Sequence, residues 1–245
     1  MNSPHNSFIE LLPREEGRQL ESLCRLVELQ SGEVLQAIDA PTRHACFPAG
    51  ALVCLFATLE HEPVVEVAMV GHEGLVGIEL GLESHSCPLM AVVQEGGNAL
   101  RVDAEDFGER FEHSPALRAA MCRLVHVTLC QMATSTACLH VHQVAPRLAR
   151  WLLMTQDRAG SSSFHVTQQF LADMLGGRRV GITAAAKEMQ RSGLIDYSRG
   201  TMTVLDRQGL RAASCSCYKI DRMLYSSLLK PPVVRTMEAL ATQGH

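Results

Sequence analysis

The chain has 245 residues, 47% of them hydrophobic and 20% charged, with a net charge of -4. That is enough apolar material for one large or two ordinary domains, and too much for a disordered chain. No uninterrupted apolar run approaches the roughly 18 residues of a membrane span, and MNSPHNSFIELL has neither the basic start nor the apolar centre of a secretory signal, so the expectation is a cytoplasmic protein without membrane partners.

The charge is unevenly spread. Residues 1–143 carry 8 Lys/Arg against 19 Asp/Glu, and residues 144–245 carry 14 against 7. The split predicts two domains with different partners, the basic half being the candidate for a polyanion. Nine irregularly spaced cysteines predict reduced, mostly buried thiols rather than a disulfide framework.

From about Val34 to Arg101, strand-sized runs such as ALVCLFATL and PVVEVAMV alternate with the turn clusters SGE, PAG, EHEP and GHEG. This predicts a small antiparallel barrel or sandwich, placed within residues 1–112. Ser114 can then cap a helix with Pro115 at its first position, and no glycine or proline interrupts until Pro146, which predicts one long helix over 113–142.

Leu117, Met121, Leu124, Val125, Leu129 and Met132 recur along that helix at spacings of three and four. Periodicity admits two partners for the stripe, the chain's own barrel or the same helix of a second copy. The second is the expectation carried forward, with these six residues as a homodimer seam.

The remainder, 143–245, opens with the helix VAPRLARWLLMTQDR and the polar loop AGSSS. Thr167 can cap a helix running to Leu175, stapled by Val166 against Leu171. Gly176 suits the sharp turn that must follow, and a second helix buries Ile182, Ala185, Ala186 and Met189.

Two helices around a tight turn make a helix-turn-helix, whose second helix lies in the major groove of DNA with its N-terminal residues at the base edges. Arg178 and Arg179 stand at that end, and an arginine fork can pair with guanine O6 and N7. IDYS and TMTVL, joined at Arg199 and Gly200, add a hairpin wing. Gly181 inside the second helix costs about 1 kcal/mol relative to alanine. The tail after Lys230 reads as loosely held.

This order resembles the Crp/Fnr family of bacterial transcription regulators over about residues 20 to 215, most specifically in VTQQFLADMLGGRRVGITAAAKEMQRSGLIDYSRGTMTVLDRQGL. The resemblance implies an α+β fold: an N-terminal antiparallel β-roll of the cupin or cyclic-nucleotide-binding type, a long dimerisation helix and a C-terminal winged helix-turn-helix. It implies a homodimer on a near-palindromic double-stranded DNA site with half-sites about 34 Å apart, and RNA polymerase as a further partner. Arg179 matches the family's base-reading arginine, and Thr167 and Gln169 match phosphate-contacting positions; Arg178, Thr183, Lys187 and Arg199 are candidates by placement. Val180 and Ala184 replace a glutamate and an arginine often found in the reading helix, which predicts a different operator.

The family's nucleotide pocket uses a glutamate for the ribose and an arginine-serine pair for the phosphate. Here Leu75 takes the first place and Cys87 and Pro88 the second, so cyclic AMP is not expected. Glu73, Gly74, Leu75, Cys87 and Pro88 mark the region where a different effector would sit, and whether one exists is left open.

Metal and cofactor sites are not expected. Only Cys24 lies near the start, which is too few for an N-terminal iron-sulfur cluster, and Cys215 and Cys217 are separated by one residue, so they read as structural. No phosphate-binding glycine loop, metal triad or nucleophile elbow points to an enzyme. The rival reading is a protein-interaction module or effector-sensing adaptor whose winged helix does not read DNA.

Overall fold

The computed structural model describes residues 5–58, 64–82, 84, 86–175 and 179–228. Arg178 and the Gly176–Gly177 corner lie outside the described residues, as do the tail after Lys230 and the side chain of Gln169.

The N-terminal part holds helix α1 (Arg14–Leu23) and strands β1 (Arg25–Leu29), β2 (Val34–Gln36), β3 (His44–Pro48), β4 (Leu52–Ala57), β5 (Val65–Val70), β6 (Leu89–Glu95) and β7 (Gly97–Asp103). They form two antiparallel sheets, ordered β1-β7-β3 and β2-β6-β4-β5. Leu29, Cys46, Val53, Leu55, Ala91, Val93 and Ala99 pack together as the core between the sheets.

Strand β4 explains why its sequence shows no alternation. Val53 and Leu55 point into the barrel, while Leu52, Cys54 and Phe56 belong to a different core shared with the C-terminal part. A strand covered on both faces is apolar throughout.

Helix α2 (Ala104–His113) leads into α3 (Pro115–Val141), where the amide of Leu117 donates to Ser114 Oγ at 2.9 Å and Pro115 opens the helix as expected. Among the described helices α3 alone is long and apolar enough to span a bilayer, yet it carries Arg118 and Arg123 and lays a buried face on the barrel. It ends before His142, and α4 (Val144–Ala159) runs to Gly160, whose φ of 64° closes the helix in the left-handed region.

Then come β8 (Ser163–His165), α5 (Gln168–Met174), α6 (Arg179–Arg191), β9 (Ile195–Ser198), β10 (Thr201–Val204), α7 (Arg207–Ala213) and α8 (Cys217–Leu228). The wing is a three-stranded sheet, because β8 pairs with β10 beside the expected hairpin. Helix α8, invisible to the motif reading, returns to pack against α3, and Tyr225 Oη donates to Gln131 Oε1 at 2.7 Å.

Candidate nucleic-acid interface

Helix α5 is set by its own cap: the amide of Phe170 donates to Thr167 Oγ1 at 3.1 Å, and Val166 and Leu171 are both buried across it. Since Thr167 accepts with its oxygen, its hydroxyl proton is left to donate outward. Ile182, Ala185, Ala186 and Met189 bury the inner face of α6, as their spacing predicts.

The outer face of α6 presents Arg179, Val180, Gly181, Ala184 and Lys187 to solvent. Val180 is 81% exposed, a bare isopropyl group beside a cation. Nothing in the chain comes within 4 Å of where a Cβ on Gly181 would stand, so the backbone there is open to an approaching surface. Thr183 is less free than its position suggests: its hydroxyl lies 2.9 Å from both Gln168 Oε1 and Arg179 O, tying α6 to α5.

Arg199 and Gly200 both have positive φ, 52° and 82°, the pairing that a two-residue hairpin turn of type I′ needs. A Cβ on Gly200 would meet the exposed His165 ring at 2.7 Å and push it aside, and the positive φ itself favours glycine there. Tyr197 Oη donates to Val166 O at 3.0 Å, fastening the wing to the start of α5 and leaving Arg199 exposed at its tip.

The six-residue seam read from α3 must be corrected. Leu117, Met121 and Leu124 are buried in the chain's own core with Phe47, Leu75 and Phe107, and Met132 lines the barrel. The helix has one face that the barrel covers and one that it does not, and four of the six residues fall on the covered one. Val125 is half-buried and Leu129 is 64% exposed. Leu129 belongs to an exposed stripe of Cys122, His126, Leu129, Ala133, Thr136 and His140, spaced alternately by four and three, the pattern of a two-helix seam.

Behind the outer face of α6, the C-terminal part is joined to the barrel through one continuous core. Trp151 and Phe170 pack with Phe56, the Phe56 and Phe170 rings meeting edge-on at 6.0 Å. Buried charges line this junction. Arg158 Nε lies 2.7 Å from Glu73 Oε1, and its guanidinium stands 4.7 Å over the Tyr225 ring. Arg150 pairs with Asp221 at 2.7 Å and donates to Ser135 Oγ.

Glu66 on β5 faces the same junction with one carboxylate oxygen sealed from solvent and unpartnered. Burial pushes its acid up to about 7, against partial relief from the Cys54 thiol, the Trp151 indole and the Arg158 and Arg150 guanidiniums.

In the effector region, Glu73, Gly74, Leu75 and Cys87 border one cavity together with Glu79, Thr128 and Tyr225, while Pro88 is exposed outside it. The space is about 50 Å³, room for a few waters and far below the roughly 300 Å³ of a small-molecule pocket. Of its two charged lining residues, Glu73 is paired with Arg158 and Glu79 accepts from Thr42, and no described cation lines the space to hold a phosphate.

Residues 146–213 match the family model for the Crp-like helix-turn-helix domain. No curated protein matches the sequence. FixK2 from Bradyrhizobium japonicum is similar at a TM-score of 0.66 and 14% identity, covering 78% of this chain and 98% of its own. The c-di-GMP-responsive global regulator CLP of Xanthomonas campestris is similar at 0.64 and 15% identity, covering 79% and 100%. TTHA1359, a transcriptional regulator of the CRP/FNR family from Thermus thermophilus, is similar at 0.61 and 20% identity, covering 78% and 98%. The barrel, long helix and C-terminal helix-turn-helix are thus the Crp/Fnr fold.

Proposed function

We propose that this chain, built on the Crp/Fnr fold, is a cytoplasmic transcription regulator that pairs along α3 and binds a near-palindromic DNA operator through α6. The observation that carries the reading is the division of labour on α6: its inner face is spent in the core, while Arg179, Val180 and Lys187 stand free at the helix-turn-helix. Arg179 reads a base edge, and Thr167, Gln169, Lys187 and Arg199 contact phosphates, which fix register without carrying sequence. Thr183 supports the reading helix from behind.

Two copies related by a twofold axis along the exposed α3 stripe present two such heads. Control lies in the junction: a signal that separates Glu73 from Arg158 loosens the C-terminal part from the barrel and redirects both heads. The nearly filled cavity, lined by no described cation, argues against an anionic nucleotide as that signal.

Selection of a randomised duplex library with the full chain tests the reading. The expected product is an inverted repeat with half-sites roughly 34 Å apart, bound with an affinity that falls by about a thousandfold or more between about 50 and 200 mM salt. A library that shows no enrichment defeats the proposal.

A further inference from the structure

Three cysteines distant in sequence meet in space. Cys138 sits near the end of α3, Cys215 in the turn between α7 and α8, and Cys217 at the first position of α8. All three are buried, their sulfurs lie within 4.8 Å of one another, and the Cys138 and Cys215 sulfurs are 3.6 Å apart.

Packing alone is a poor account of this group. The three thiols form a cluster of their own, apart from the three larger apolar cores, where ordinary aliphatic side chains would fill the space without bringing ionisable groups together. A disulfide would use two sulfurs and leave the third buried and idle. Three sulfurs bound at about 2.3 Å to one tetrahedral ion stand about 3.8 Å apart, close to the 3.6 Å between Cys138 and Cys215 and within reach of the third.

We propose that Cys138, Cys215 and Cys217 bind one thiophilic divalent cation of the zinc class, clamping the start of α8 onto the end of α3. No fourth Cys, His, Asp or Glu among the described residues joins the group, which leaves one position for water. Cys215 lines an open cleft together with Ser214 and Ser216, which gives the site a route to solvent.

The local electrostatics suit loading. The Cys138 and Cys215 thiols already share a hydrogen bond, and the Arg150 guanidinium nearby favours thiolate over thiol at this spot. An entering cation displaces the protons that the three thiols hold, so loading releases acid. Because α8 also carries Asp221 and Tyr225, occupancy sets how firmly the C-terminal part is held on the long helix. This holds whatever α6 binds.

The test takes the full reduced chain, stripped by a chelator, and titrates it with Co²⁺ without DNA. The expected result is a single equivalent taken up with thiolate-to-cobalt charge-transfer absorption, bleached by added Zn²⁺, lost in Cys217→Ser and intact in Cys122→Ser. A second readout needs no variant: Zn²⁺ should slow alkylation of these three thiols, and not of exposed Cys122, by peptide mass spectrometry. Absence of the absorption together with alkylation indifferent to Zn²⁺ overturns the proposal. So does a peroxide-driven loss of two hydrogens joining Cys138 to Cys215 in a chain that takes up no cobalt, which marks a redox pair instead.

Discussion

The outer face of α6 and the junction behind it are built on opposite principles. The reading face keeps its cations in water, where they cost nothing to hold and are free to meet a partner. The junction buries Arg150, Arg158 and Asp221 and partly buries Glu73, where each charge depends on a specific neighbour. Changes on the first should therefore alter binding and spare the fold, and changes on the second should alter the fold's cohesion and leave sequence preference alone.

The largest effect should come from Asp221→Ala. Losing one partner of a buried pair leaves Arg150 uncompensated and costs about 3 to 5 kcal/mol, measurable as a lowered urea midpoint. An unchanged midpoint would mean that α8 contributes nothing to holding the C-terminal part, and the contrast would fail.

Glu66 sharpens the same side of the comparison through pH. Its acid stands at about 7 in the folded chain, above the ordinary carboxyl value, so its contribution is complete in acid below that ordinary value and is lost as pH rises through about 7. The loss is about 3 kcal/mol. Urea midpoints taken across this range should fall for the native chain and fall less for Glu66→Gln; parallel curves would show that the carboxyl is not sealed in the junction.

On the reading side, Arg179→Ala should weaken operator binding by about 1 to 3 kcal/mol and relax selectivity at one base pair in each half-site. The urea midpoint should stay put, and a large drop would move Arg179 into the structural class. The smallest effect is expected at Leu129→Ala, which should scarcely change the stability of a single chain because the side chain is already 64% exposed. It should weaken pairing by about 1 kcal/mol from lost apolar burial, seen as a rightward shift in sedimentation against concentration.

The same division decides what could be read from residues alone. The inner face of α6, the Thr167 cap and the Arg199–Gly200 turn follow local rules of spacing, capping and left-handed backbone, so a window of a dozen residues contains the whole signal. The junction does not. Glu73 and Arg158 are joined across two folded units, Arg150 finds Asp221 on a helix that no motif announces, and Cys138 meets Cys215 only after α8 folds back. Four of the six residues of the α3 stripe lie against the chain's own barrel for a related reason: local periodicity shows that a face is apolar and is silent on which surface covers it.

Val180 carries one last consequence. With α6 laid against a duplex, an uncharged branched side chain in a place suited to a carboxylate can neither accept from cytosine nor attract an amine, and what it can do is nestle against a pyrimidine methyl. Replacing thymine by uracil at the matching step, which deletes only that carbon, should then loosen the complex, while the same exchange elsewhere in the half-site should pass unnoticed.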